Sequence, residues 1–122
     1  MGVVVVIGAS SDRSSFSNKA VRAFLEKGHT VHPVNPREQT IETLKCHDSI
    51  LHVPVRPDIV SVYVRPERLL KLLPDIARRG CGELWLNPGT VSDEVLHEAE
   101  MFGLKATELC SIVALGFSPD SL

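Results

Sequence analysis

The chain has 122 residues, of which 43% are hydrophobic and 23% charged, and its formal net charge is −2. This length predicts a single domain, residues 1–122, with a core of its own. The small net charge gives no indication of a nucleic-acid surface, and the first apolar run is too short to cross a membrane. Three widely spaced cysteines argue against a disulfide framework, so a reducing cytoplasm is the expected location.

The first third of the sequence predicts a strand, a helix and a second strand. Consecutive β-branched residues from Val3 to Ile7 are typical of a fully buried strand. A helical pattern follows, with Ser17 as its expected N-cap and Gly28 just beyond its end. Residues 30–34 then predict the second strand.

The remainder continues to alternate between strands and helices. Four stretches predict further strands: residues 40–47, 59–64, 83–86 and 105–109. A helical turn is expected at residues 48–51. Pro66 fits the first position of a helix, which Pro74 is expected to kink or restart. Ser92 is the expected N-cap of the last long helix, and Gly103 ends it.

Alternation of this kind predicts an α/β fold, because parallel strands need crossover helices that cover both faces of the sheet. We expect a three-layer Rossmann-like domain with a mainly parallel sheet in the order 3-2-1-4-5-6. Ligands of such folds bind at the carboxyl ends of the strands, here near the switch point between strands 1 and 4. Polar loops follow four of these ends: residues 8–17, Asn35-Pro36-Arg37, Val64-Arg65-Pro66 and Asn87-Pro88-Gly89.

The first loop differs from a dinucleotide-binding fingerprint. Ser10 and Arg13 stand where the pattern G-x-G-x-x-G needs its second and third glycines. The second strand is followed by Arg37 rather than by the acid that binds the ribose of NAD. An arginine favours an additional phosphate, which NADP and coenzyme A both carry. The loop hydroxyls and free amides could bind a diphosphate.

Six segments carry a resemblance to a known family. Three are Val6-Ile7-Gly8-Ala9-Ser10, Pro33-Val34-Asn35-Pro36 and Leu84-Trp85-Leu86-Asn87-Pro88-Gly89-Thr90, and the others are residues 18–25 with Gly28, Asp58-Ile59-Val60, and residues 103–110. In order and spacing the chain resembles, over nearly its whole length, the small stand-alone CoA-binding-domain proteins. These are relatives of the CoA-binding domain of the succinyl-CoA synthetase α subunit. The resemblance implies a Rossmann-type domain that binds coenzyme A. The synthetase's active-site histidine belongs to a later domain, so ligase activity is not implied.

The resemblance also implies a role for each matching position. The residues implied around the diphosphate are Gly8, Ala9, Ser10, Ser14, Ser15 and Lys19. Those implied near the adenosine 3′-phosphate are Asn35, Pro36 and Arg37. Those implied beside the adenine or the pantetheine arm are Val64, Arg65 and Pro66, and those along the arm are Asn87, Pro88 and Gly89. Asp12 departs from this pattern, because an acid beside a diphosphate must point outward or pair with Arg13.

We therefore expect binding of coenzyme A or an acyl-CoA without catalysis, as a sensor, carrier or regulatory module. The expected partner is this small-molecule ligand, with no nucleic acid and no membrane. The alternative is a small NADP-dependent oxidoreductase or a nucleotide-modifying enzyme. That activity would need a proton donor, for which Tyr63, His52 and Cys110 are the available side chains. Cys46 and His47, with His52 further along, lack the paired close spacing of a zinc site, so no metal is expected.

A third hypothesis treats the domain as an oligomerisation unit. The segment at residues 112–117 is apolar enough to cover a sheet edge or to contact a partner. A homo-oligomer is therefore a possible state of the protein.

Overall fold

The computed structural model describes residues 2–122. Five parallel strands form one sheet in the order β2-β1-β5-β6-β7. They are β1 (Val3–Ile7), β2 (Thr30–Val34), β5 (Ile59–Val62), β6 (Glu83–Leu86) and β7 (Ala106–Glu108). The helices are α1 (Phe16–Glu26), α2 (Pro66–Arg79), α3 (Asp93–Met101) and α4 (Ser111–Ala114). The predicted Rossmann-like architecture and the relative order of these five strands are confirmed.

Two apolar clusters, one on each face of the sheet, make this a three-layer fold. Alternate residues of β1 point to opposite faces, as in any strand. Val5 and Ile7 pack in the cluster that contains the buried residues of α2 and α3. Val4 and Val6 pack in the cluster that contains Phe24 and other buried residues of α1. Since both faces are covered, the strand needs no polar side, which explains its unbroken β-branched sequence.

The predicted third strand, residues 40–47, is replaced by a small hairpin. Its strands are β3 (Thr40–Ile41) and β4 (Leu44–Lys45), which pair antiparallel. Glu42 and Thr43 between them have φ values of 49° and 66°, and two left-handed residues in succession reverse the chain. At the position expected of a third strand, a single parallel bridge joins His47 to Val34 of β2.

The predicted N-cap of α1 is wrong, and of the two alternatives at Pro74, a kink or a restart, the restart is excluded. Ser15 rather than Ser17 caps α1, because its side chain accepts a hydrogen bond from the amide of Asn18. The expected restart at Pro74 does not occur, since α2 continues through it to Arg79. Pro74 is exposed, so water can compensate for the helical hydrogen bond that the proline removes.

The apolar segment at residues 112–117 folds back onto the domain. Ile112 of α4 is fully buried in the cluster on the α1 face, and Phe117 packs against that cluster. Val113, Ala114 and Gly116 stay exposed, Val113 with 60% of its surface. No helix within residues 2–122 is long and apolar enough to cross a membrane.

Candidate functional site

A cleft of about 520 Å³ lies at the carboxyl ends of β1, β2 and β5. Its apolar lining includes Ile7, Val34, Ile50 and Leu72, which come from two strands, a turn and α2. This is the switch point of the sheet, because the crossover from β1 leads to β2 on one side and β5 lies on the other. Ligands of open α/β sheets bind in this position.

Gly8 brings the loops after β1 and β5 into contact at the floor of the cleft. Its φ of +81° is a left-handed conformation that side chains disfavour. A Cβ atom on Gly8 would lie 2.9 Å from Cγ1 of Val64 and 3.1 Å from the backbone of Tyr63. Only glycine fits this turn, and its absence of a side chain keeps the floor of the cleft narrow.

Asn35 holds the loop after β2 against the loop after β1. Its Nδ2 donates to the carbonyl of Ala9 at 2.7 Å, and its Oδ1 accepts from the amide of Arg37 at 2.8 Å. Asn35 therefore fixes the backbone at the start of the turn that carries Arg37. The arginine side chain is exposed and lines the cleft.

Three arginines and two aspartates line the cleft. The arginines are Arg37, Arg65 and Arg68, and the acids are Asp48 and Asp75. Within residues 2–122, Arg37 and Arg68 form no side-chain ion pair, whereas Nε of Arg65 lies 3.5 Å from Glu67. Both partners of that pair are largely exposed, so it contributes little to stability. Cationic groups without a protein partner, beside apolar walls, suit a ligand that combines an aromatic base with phosphate.

The loop between β1 and α1 is folded by its own hydroxyl and carboxylate groups. The carboxylate of Asp12 accepts from the amide of Ser14 at 3.0 Å and from its hydroxyl at 2.7 Å. The Ser14 hydroxyl is the main reason that the pKa of Asp12 is lowered. The hydroxyl of Ser10 accepts from the amide of Asp12, and that of Ser15 donates to its carbonyl.

Arg13 does not pair with Asp12, as the sequence allowed, but with Glu42 of the hairpin. The side-chain amide of Asn18 also donates to Glu42, at 3.1 Å. The hydrogen bond from Asn18 first, and then the hydrogen bond and charge of Arg13, hold the pKa of Glu42 below its usual value. The hairpin is thereby bonded across the first turn of α1 and the loop that precedes it.

Lys19 and Asn87 make contacts that differ from the implied ligand roles. Nζ of Lys19 donates to the carbonyl of Pro119 at 2.8 Å. Asn87 is fully buried, and its Nδ2 donates to the Ser61 hydroxyl at 3.0 Å and to the Val62 carbonyl at 2.9 Å. Its Oδ1 accepts from the amide of Ser111 at 2.7 Å. The Asn87 side chain joins β5, the end of β6 and the start of α4, with its hydrogen-bonding groups already engaged.

The cleft unites six of the fifteen residues singled out from the sequence: Gly8, Asn35, Pro36, Arg37, Val64 and Arg65. The other nine do not line it: Ala9, Ser10, Ser14, Ser15, Lys19, Pro66, Asn87, Pro88 and Gly89. Ala9 is fully buried and Pro66 begins α2. Gly89 has a φ of 92° and lies in an open turn.

Sequence reasoning missed the part of the cleft that α2 contributes. Arg68, Leu72 and Asp75 line it together. Their spacing of four and then three residues places them on one face of a helix, so this pattern could have identified them. Asp48 and Ser49 precede the short turn Ile50–His52, which the Ser49 side chain caps. The sequence predicts a helical turn at residues 48–51 but assigns these two residues no ligand role.

The three candidate proton donors do not form one catalytic group. Burial, and secondarily the neighbouring Cys110, raise the pKa of Tyr63, so its phenol stays neutral at ordinary pH. Cys110 caps α4 and packs on the α1 face of the sheet, whereas His52 is exposed. Across residues 2–122 no cluster of three or more histidine, cysteine or acidic side chains is arranged to hold a metal ion.

Comparison with solved structures shows that the whole fold recurs. A conserved hypothetical protein from Pyrococcus furiosus is 29% identical, with a TM-score of 0.82 over 89% of this chain and 93% of that one. A protein from Thermus thermophilus is 28% identical, with a TM-score of 0.82 over 93% and 89% of the two chains.

A larger enzyme contains the same fold as one part. The dinucleotide-forming acetyl-coenzyme A synthetase 1 of Ca. Korarchaeum cryptofilum matches with a TM-score of 0.74 and 23% identity, over 85% of this chain and 25% of that enzyme. At this identity the likeness concerns the fold alone. The family model described as "CoA binding domain" matches residues 3–116, nearly the whole sequence. The chain therefore belongs to the CoA-binding domain family.

Proposed function

We propose that this protein binds coenzyme A or an acyl-CoA in the cleft at the ends of β1, β2 and β5, without catalysing a reaction. The observation that carries the proposal is the combination of apolar walls with the free guanidinium groups of Arg37 and Arg68. Such a site matches a phosphorylated adenosine, and residues 3–116 match the CoA-binding domain family. A role as sensor, carrier or regulatory module would need no further chemical group.

The proposed orientation places the adenosine in the cleft, with its 3′-phosphate toward Arg37. A guanidinium group can form two hydrogen bonds to a phosphate, and its exposure leaves it free to move toward the ligand. Val64 and Arg65 would lie beside the base. The diphosphate would then lie over the loop between β1 and α1.

The backbone amides of the loop between β1 and α1 support binding of the diphosphate better than the hydroxyl groups of this loop do. Amides of this loop already donate to carboxylate oxygens, Ser14 to Asp12 and Ser11 to Glu38. The same donors can bind phosphate oxygens. The hydroxyls of Ser14 and Ser15 donate to Asp12 and would bind only if these contacts rearranged, whereas the Ser10 hydroxyl accepts from the Asp12 amide and keeps its proton for a ligand. Lys19 would first have to leave the carbonyl of Pro119.

The pantetheine arm would pass toward the turn that follows β6. The contacts of Asn87 support a positioning role for this residue. Pro88 and Gly89, in the open turn beside it, are the proposed contacts of the arm.

Isothermal titration calorimetry with CoA, acetyl-CoA, dephospho-CoA, NAD and NADP tests the proposal. We expect CoA or acetyl-CoA to bind with a Kd of roughly micromolar order. Dephospho-CoA should bind roughly tenfold more weakly, because one charge-assisted contact is lost at an exposed site. Absence of CoA binding below the millimolar range, or tighter binding of NADP than of either CoA compound, would refute the proposal.

A pair of arginine variants tests the placement of the 3′-phosphate. In Arg37→Ala, CoA and dephospho-CoA should bind with nearly equal affinity. Arg78→Ala removes an exposed arginine near the opposite end of α2 and should leave their difference unchanged. If both substitutions changed the affinity difference between CoA and dephospho-CoA equally, the overall charge of the protein and not the position of Arg37 would set that difference, which would refute the placement.

A further inference from the structure

Glu38 makes a contact that the proposed function leaves unexplained. Its Oε2 accepts a hydrogen bond from the backbone amide of Ser11 at 2.8 Å. Glu38 lies in the turn after β2, whereas Ser11 lies in the loop between β1 and α1. A side chain of the turn after β2 therefore reaches a main-chain donor of the loop after β1, and both residues lie close in sequence to the cleft lining without belonging to it.

The bond places the negative charge of Glu38 at the backbone amide of Ser11, where the proposed ligand would place a phosphate oxygen. Amides of a loop between a strand and a helix are the usual donors to phosphate oxygens. Within residues 2–122, Glu38 has no cationic side chain within ion-pair distance. The carboxylate of Glu38 is thus hydrogen-bonded to the backbone amide of Ser11, and no neighbouring cation neutralises the charge of this carboxylate.

The backbone around this contact is already held by other bonds. Asn35 connects the same two loops through the Ala9 carbonyl, and Glu42 connects the hairpin to Arg13 and Asn18. The loops should consequently stay together without the Glu38 bond. Structural support alone does not account for a carboxylate at this position.

We propose that Glu38 is an internal competitor that occupies the Ser11 amide and lowers the affinity for the phosphate-bearing ligand. The proposal rests on the proposed function, since it assumes that the diphosphate binds at this loop. Binding exchanges one anion for another at the same donor: the Glu38 carboxylate leaves and a phosphate oxygen takes its place. The affinity is thereby set by the sequence of the turn after β2.

The test compares Glu38→Gln with Glu100→Gln, using CoA and inorganic pyrophosphate as probes. Glutamine keeps an acceptor oxygen for Ser11 but removes the charge, so the loop should stay folded. Glu100 is an exposed acid of α3 that does not line the cleft. We expect E38Q to tighten binding of both probes roughly fivefold, and E100Q to change it less than twofold.

The Ser11 amide provides a second readout by nuclear magnetic resonance. In the wild-type protein its resonance should shift on addition of either probe, because its acceptor changes from carboxylate to phosphate. Unchanged or weaker binding by E38Q, or equal effects of E38Q and E100Q, would overturn the proposal. Tightening seen with pyrophosphate but no binding of CoA would support the competitor and refute the proposed function. If neither probe binds either protein, both proposals are overturned.

Discussion

The Asn87→Ala variant removes a buried amide that connects three elements of the fold. The carbonyl of Val62 and the backbone amide of Ser111 would each lose a hydrogen-bonding partner. Ser61 would lose one as well, although its hydroxyl keeps the 2.8 Å contact with the hydroxyl of Ser111. The loss of stability in this variant therefore measures how much the Asn87 side chain contributes to the fold, as distinct from ligand binding.

The magnitude follows from the two backbone groups that are left unpaired. Each buried, unsatisfied group costs about 1–3 kcal/mol, and the small space left by the side chain adds to this. We expect the free energy of unfolding to fall by about 4 kcal/mol. For a chain of 122 residues, that loss should lower Tm by roughly 12–20 °C.

Urea denaturation followed by circular dichroism measures this loss. Thr90→Val is the matched control, because Thr90 is buried at the end of the same turn and its hydroxyl makes one hydrogen bond, to the Asn87 carbonyl. That variant should lose about 1 kcal/mol. A loss below about 1 kcal/mol for Asn87→Ala, or equal losses for both variants, would refute the structural role assigned to the Asn87 amide.

Two further predictions concern the loop after β1 and the edge of β2. Gly8→Ala should cost about 3 kcal/mol in urea denaturation, from left-handed strain plus the steric overlap. Gly89 also has a positive φ, but no atom lies within 4 Å of the added Cβ, so Gly89→Ala should cost about 1 kcal/mol. Equal losses of stability in the two variants would contradict the steric overlap of an added Cβ on Gly8 with Val64 and Tyr63. The ring centroids of His32 and His47 lie 5.5 Å apart with the rings tilted by 51°, and desolvation by burial is the largest cause that lowers the pKa of each. The unfolded chain binds more protons, so stability is complete above pH 6.5 and falls as the pH drops below it. The His32→Gln, His47→Gln double variant should lose this dependence in pH-dependent denaturation, whereas His97→Gln should keep it; an unchanged slope in the double variant would contradict the assignment.

The sheet was predictable because its signals are local and redundant. A β-branched run such as Val3–Ile7 cannot present a polar face, so it has to lie between two layers. Short connections between alternating strands and helices then leave few topologies. The cleft position follows from that topology, which is why residues from three separate loops, such as Gly8, Arg37 and Val64, were predicted together.

The hairpin was not predictable from its turn residues. Glu42 and Thr43 are unusual at positions with positive φ. The contacts of Glu42 with Arg13 and Asn18 stabilise this backbone, and they depend on packing between distant segments. Residues 40–47 have the propensity to form one strand, but these tertiary contacts stabilise a hairpin in its place.

Hydrogen bonds between side chains and residues distant in sequence are the second feature that could not be predicted. Lys19 bonds to Pro119, one hundred residues away, and nothing near Lys19 in the sequence indicates this. In the same way, the amide of Asn87 is engaged by a strand and a helix. The residue types suited a ligand role, but their availability depends on the folded structure.

A titration of isotope-labelled protein with CoA, followed by amide chemical shifts, tests the binding site most directly. We expect the changes to concentrate at Gly8, Ser11, Arg37 and Val64, around the cleft, with α3 unaffected. They should saturate at micromolar CoA. Shifts centred on another surface, or no shifts at millimolar CoA, would contradict binding of the cofactor at the carboxyl ends of β1, β2 and β5.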